Sequence, residues 1–197
     1  MSTVNEMENF TPLTKVVRQN QLSLVRALVE IGHDINEFDG NGYTPLQTAA
    51  FTRNDEILKF LIDSGADITL CSVDNLPPLQ YACLNNSIEF VQLLVDRGAD
   101  VNNSRNVMTP LICAIIGDGL EIVRLLVSHG ANVNFTVRDV ASPLVAAMMR
   151  LNGGIALNRV SNLRPIDRLR MDIVQCLIDA GADRRLLRVL ERYINFD

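Results

Sequence analysis

The chain has 197 residues, 48% hydrophobic and 21% charged, with a net charge of −5. That much apolar content buries a core and excludes a disordered chain, and the acidic balance argues against nucleic acid as the main partner. With no Trp and only 5% aromatic residues, small and aliphatic side chains must do the packing.

The charge is uneven. Residues 1–137 hold 8 Lys+Arg against 16 Asp+Glu, a net −8, and residues 138–197 hold 10 Arg against 7 Asp+Glu, a net +3. Two explanations stand: drift over a solvated surface, or a bipolar surface that orients a partner. The first ten residues, MSTVNEMENF, are polar and acidic, so no secretory signal is expected. Apolar runs such as LICAII are too short to span a bilayer. Cys71, Cys83, Cys113 and Cys176 are scattered, without a CxxC pair, which argues against a zinc ribbon or a disulfide framework. A reduced, intracellular setting, cytoplasmic or nuclear, is expected, and the Asn-x-Thr tripeptides at Asn9 and Asn134 are expected to be silent.

One phrase then returns along the chain. It reads FTPLTKVV at 10–17, GYTPLQTAA at 42–50, PPLQYAC at 77–83, TPLICAI at 109–115 and SPLVAAM at 142–148. Its prolines, Pro12, Pro45, Pro78, Pro110 and Pro143, are 33, 33, 32 and 33 residues apart. A second landmark follows each of the first four after 20 residues: Gly32-His33-Asp34, Gly65-Ala66-Asp67, Gly98-Ala99-Asp100 and Gly130-Ala131-Asn132. The fifth, Gly181-Ala182-Asp183, comes 38 residues after Pro143. Two landmarks in register mark a repeat architecture.

Each element has a physical reason. Thr44, Thr109 and Ser142 are N-caps, and the proline after each takes the first helical position, where its missing N–H costs nothing. Ala49, Ala50 and Ala147 keep the first helix thin. In DEILKFLIDSG, Ile57, Leu58, Leu61 and Ile62 follow helical spacing and are expected to face inward. Gly65 ends that helix at a position that favours positive φ. The stretch DINEFDGNG then reads as a hairpin-like turn.

These residues resemble the ankyrin repeat, whose T-P-L-H-x-A signature appears with Gln47 and Gln80 in place of His. The resemblance covers about residues 9–183. It implies an all-α solenoid of about five helix–turn–helix repeats, with hairpin fingers and first helices lining a concave side. The expected repeats span about 9–41, 42–74, 75–106, 107–139 and 140–183, in one domain over 1–197. An insert of 18 residues is expected at about 152–169, and an amphipathic capping helix at 184–195. Departures are visible. Val16-Val17 replaces the alanines in the first repeat, as in an atypical cap. Pro77 replaces the capping Thr, removing an interaction worth about 1 kcal/mol. Only the first finger keeps Asp-x-x-Gly, from Asp39 to Gly42.

Catalysis is not expected. His33 and His129 both end second helices, and no triad, calcium loop or phosphate loop is completed. No cofactor, metal, membrane or small-molecule substrate is expected as a partner. The resemblance implies docking of proteins through the fingers and the exposed edge of the first helices. Two residues before the later prolines stand Tyr43, Leu76, Met108 and Ala141. Six residues after the prolines stand Arg18, Phe51, Leu84, Ile116 and Met149. Val73, Val137 and Val140 lie in fingers, with Asp74, Arg105 and Arg138 beside them. These residues either tuck between repeats as core or form an apolar stripe, and exposed stripes mark interaction sites. The expected function is a small adaptor or inhibitor. The alternative implied by the resemblance is an obligate regulatory subunit, such as a kinase activator or inhibitor in cell-cycle or transcription control.

Overall fold

The computed structural model describes residues 9–72, 75–104, 108–136, 142–151 and 165–185. Among these residues there are ten helices and no strand. The chain forms two compact units, residues 1–99 and 100–197. The first holds three helix pairs: α1 (Pro12–Arg18) with α2 (Leu22–Glu30), α3 (Pro45–Thr52) with α4 (Asp55–Asp63), and α5 (Pro78–Leu84) with α6 (Ile88–Asp96). The second holds α7 (Pro110–Ile116) with α8 (Leu120–Ser128), and α9 (Pro143–Leu151) with α10 (Pro165–Asp179).

The caps form as the sequence predicts. Thr44 Oγ1 accepts from the Gln47 amide at 3.1 Å, while Gln47 Oε1 accepts from the Thr44 amide at 2.9 Å. This reciprocal pair satisfies two backbone donors that a helix start leaves open. Thr11, Thr109 and Ser142 each accept from the amide three residues on, at 3.2 Å. Pro77 makes no side-chain cap.

The thin first helices bury their alanines: Ala49, Ala50, Ala82, Ala114 and Ala147 are inaccessible or nearly so. In the first unit α3 packs against both α1 and α5; in the second α9 packs on α7, and α10 on α8 and α9. Ile57, Leu58, Leu61 and Ile62 are buried, as their spacing predicts.

Two backbone devices reverse the chain in each repeat. Eight residues after the first four prolines, Asn20, Arg53, Asn86 and Asp118 take left-handed φ values between 53° and 59°. Asn and Asp tolerate this region best among side-chain-bearing residues. Gly32, Gly65, Gly98, Gly130 and Gly181 end the second helices at φ between 83° and 94°. Asn side chains then link successive corners. Asn36 Oδ1 accepts from the Asp67 amide at 2.8 Å in the first unit. In the second, Asn102 donates to the Gly130 carbonyl at 3.0 Å and accepts from the Asn132 amide at 2.8 Å. Asn134 makes the same pair with Gly181 and Asp183.

The fifth repeat differs from the other four. The helix α9 runs on to Leu151, the position at which the earlier repeats turn left-handed. Pro165 stands at the start of the repeat's last helix. It begins a continuous 15-residue α10 that contains the expected second helix. Residues 165–169 of the expected insert are therefore helical. The rest of the insert, 152–164, and most of the expected capping helix, 186–195, lie outside the described residues.

Candidate protein-binding edge

The edge is built where the start of each first helix meets its end. In the second repeat, Asp39 is buried in the first finger and organises it. Its Oδ1 accepts from the Asn41 amide at 2.9 Å and the Tyr43 amide at 3.0 Å. Its own amide donates to the Tyr43 carbonyl at 2.9 Å, and the Gly42 amide donates to the Asp39 carbonyl at 2.8 Å. Gly42 has φ 76°, and a Cβ there would meet Ser72 Oγ at 2.7 Å, so only glycine lets the two fingers approach. Asn75 adds to this contact by donating to the Asn41 and Gly42 carbonyls at 3.2 and 3.1 Å. Tyr43 is thus fixed by the backbone on either side of it.

Phe51 lies one helix length away and comes back to Tyr43. The two ring centroids are 6.3 Å apart. Tyr81 of α5 completes a triangle, 6.1 Å from Tyr43 and 5.9 Å from Phe51, edge-on to the latter. Such offset and edge-to-face pairs are favourable beyond the area they bury. The Tyr81 hydroxyl donates to the Tyr43 hydroxyl at 3.5 Å. Burial, then that hydrogen bond, raises the Tyr81 pKa well above the usual phenol value. Asn85 Nδ2 donates to the Ala50 and Phe51 carbonyls at 2.9 and 3.3 Å, locking the end of α3 under the cluster. Gln47, which stands in the signature His position, donates from Nε2 to the Leu76 carbonyl at 2.7 Å and so holds the next finger base.

The first repeat builds the same contact with other chemistry. Phe10 occupies the position of Tyr43, Arg18 that of Phe51, and the guanidinium lies 5.0 Å from the ring centroid. This is cation–π geometry.

The two sequence-derived rows, before and after the prolines, therefore converge at Tyr43 and Phe51. None of their described members is buried core. Phe51 is 52% exposed and Met149 67%, Arg18 is exposed, and Tyr43, Leu76, Leu84, Met108 and Ile116 are half-buried. Val73, Asp74 and Arg138 lie outside the described residues, as do Arg105, Val137, Val140 and Ala141.

Sequence reasoning missed Tyr81. It stands three residues after Pro78, in a row otherwise made of Lys15, Thr48, Cys113 and Ala146. The signal was a single aromatic among small or polar residues, on the same helix face as the row at six.

A second constellation was missed in the other unit. Asp118 Oδ2 accepts from Arg150 at 2.7 Å, and the Arg170 guanidinium donates to both Asp118 oxygens at 2.9 and 3.0 Å. Arg170 also donates to the Arg150 carbonyl at 3.0 Å. Burial alone would raise the Asp118 pKa, but the hydrogen bonds from Arg170 and Arg150 outweigh it and hold the carboxyl at about 2. A groove of about 440 Å³ between α8 and α10 is lined by Arg124, Ser128, Asp172, Gln175, Cys176 and Asp179. Burial raises the pKa of the Cys176 thiol in this groove. Among the described residues no cluster of three or more His, Cys, Asp or Glu is placed to hold a metal, and no helix is long and apolar enough to cross a membrane.

Five helix pairs, each opened by a proline at the first helical position and four of them turning through a left-handed residue, define a helical repeat protein. A family model described as "Ankyrin repeats (3 copies)" matches residues 1–72 and again 69–137, well over half of the chain, so the chain belongs to the ankyrin-repeat family. Such repeats are protein–protein interaction modules and typically non-enzymatic. No curated protein matches the chain.

Proposed function

We propose that this chain is a small adaptor or inhibitor that docks a protein partner on the exposed edge of its first helices, centred on Tyr43, Phe51 and Tyr81. One observation carries this reading. Phe51 stays half exposed although its ring packs on Tyr43 and Tyr81, which leaves a large apolar surface open at the edge. Tyr43, Tyr81 and Asn85 hold it in place before any partner arrives, so little entropy is lost on binding. Leu84 continues the row in the next repeat. Aromatic anchors of this kind dominate interface energetics.

The test compares the wild-type chain with a Phe51→Ser, Leu84→Ser variant as bait in lysate from the native cell, with mass-spectrometric quantification. The reading stands if a stoichiometric partner is lost from the variant while its thermal midpoint is unchanged. Retention of every partner by the folded variant refutes it, and so does loss of folding, which would make these residues core.

A further inference from the structure

The first-helix edge is chemically unlike the rest of its unit. Residues 1–99 carry 6 Lys+Arg and 13 Asp+Glu, a net −7. None of those acids is in a first helix: PLTKVVR, PLQTAAFT and PLQYACL contain no Asp or Glu. The exposed acids Glu30, Asp55, Glu56, Asp63, Glu89 and Asp96 are all on the second helices. Asp34 and Asp67 lie at the corners and Glu37 in the first finger. The edge instead carries Lys15 and Arg18, both exposed and on α1, and neither has a carboxylate partner among the described residues. Arg18 is held in place by the Phe10 ring. Lys15 and Arg18 occupy the same repeat positions as Thr48 and Phe51 in the next repeat, and as Tyr81 and Leu84 in the one after.

From this segregation we propose that residues 9–99 bind an acidic peptide segment anchored by large apolar side chains. Its carboxylates lie over Lys15 and Arg18, and its apolar groups over Phe51 and Leu84. Packed helices lie about 8–10 Å apart and an extended chain advances about 3.3 Å per residue. One repeat therefore corresponds to about three peptide residues. The expected pattern is an acidic pair, two intervening residues, apolar, two intervening residues, apolar. A polyanion such as single-stranded nucleic acid is disfavoured, because two free cations cannot offset the field of a unit with a net −7. A peptide with two carboxylates brings only two charges into that field, one for each cation, so its penalty is far smaller. The proposal rests on the docking edge proposed above and adds the chemistry of what occupies it.

Random 12-residue peptides displayed on phage are selected on the immobilised full-length chain, and the winners are synthesised and titrated calorimetrically. The proposal expects winners with Asp or Glu about three residues from an aromatic or Leu. Their affinity should fall about tenfold with Lys15→Glu combined with Arg18→Glu, and should weaken with added salt. Winners without acidic bias, or indifferent to the double reversal, overturn the acidic assignment. If those same winners still lose binding with Phe51→Ser and Leu84→Ser, the docking edge itself survives. Indifference to both pairs of substitutions, or no enrichment over the bare support, overturns both. Displacement of the winning peptide by a 20-nucleotide oligo-dT overturns the peptide assignment in favour of nucleic acid. Circular dichroism melts confirm that each variant is folded.

Discussion

Replacing Asp118 by Asn isolates the charge that holds the fifth repeat to the fourth. The turn itself should tolerate the change, because Asn20 and Asn86 occupy the equivalent position in other repeats at φ 54° and 53°, against 55° for Asp118. What changes is the carboxylate. Its pKa of about 2, against an ordinary 3.8, corresponds to about 2 kcal/mol of stabilisation at neutral pH. The side chains are only partly exposed, 18% for Asp118 and 19% for Arg170, so solvent screens this pair little; Arg150 is more exposed, at 33%, and contributes less. Asp118→Asn should therefore lose roughly 2 kcal/mol, and Asp118→Ala about 1 kcal/mol more, since Ala also bears the left-handed φ poorly. Because the folded pKa is lowered, the contribution is complete above about pH 4 and disappears as the pH falls through about 2.

Local unfolding is the right measure, since repeat proteins do not always unfold in one step. Amide hydrogen exchange of α9 and α10 in wild type and Asp118→Asn should show faster opening of both helices at pH 7, with α1 to α4 unchanged. A carbon-13 titration of the Asp118 carboxyl should place its midpoint near 2. Equal protection of α10 in the two proteins, or a midpoint near 4, would show that the guanidinium groups do not hold the carboxylate and would refute the account.

Other consequences follow from single contacts. Pro77→Thr, with Gln80 three residues on as Gln47 is after Thr44, should restore a capping box and raise the urea midpoint by the equivalent of about 1 kcal/mol, less the rigidity that Pro contributes. Gly42→Ala should cost about 1–2 kcal/mol by chemical denaturation, and pairing it with Ser72→Gly should recover the steric share but not the φ share. Cys113 is fully buried and its thiol is pushed up to about 12 by that burial, so iodoacetamide at pH 8.5 should label it only after unfolding.

The scaffold was legible because it is local and repeated. A capped proline, two alanines, an i, i+3, i+4 apolar pattern and a glycine 20 residues on each solve a backbone or packing problem within one repeat, so periodicity alone exposes them. The docking edge was only half legible. Tyr43 and Phe51 could be chosen because they recur at fixed offsets, but whether they are core or exposed depends on how one repeat sits on the next. Tyr81 was hidden for the same reason: it is silent within its own repeat and acquires a role only when α5 packs on α3 and brings its ring within 6.1 Å of Tyr43. Asp118, Arg150 and Arg170 lie 32 and 52 residues apart, and no spacing rule connects an aspartate in a turn to two arginines on opposite sides of an insert.

That contrast also explains the end of α9. Where the first four repeats turn left-handed eight residues after the proline, Leu151 remains helical. Leu151 stands where three of the other four repeats have Asn or Asp, and Leu resists positive φ. The second helix of this repeat, α10, begins at Pro165 and has 15 residues, against nine in each of α2, α4, α6 and α8. Arg170 stands where Asn54, Ser87 and Gly119 precede the other second helices. In those repeats a short turn alone fixes the second helix against the first. In the fifth repeat the bonds of Arg170 to Asp118 and to the Arg150 carbonyl tie the second helix to the first and to the neighbouring repeat. A long connection is tolerated thermodynamically because closure entropy grows slowly with length, provided that something else sets the register of the returning helix. Asp118 does so from the neighbouring repeat.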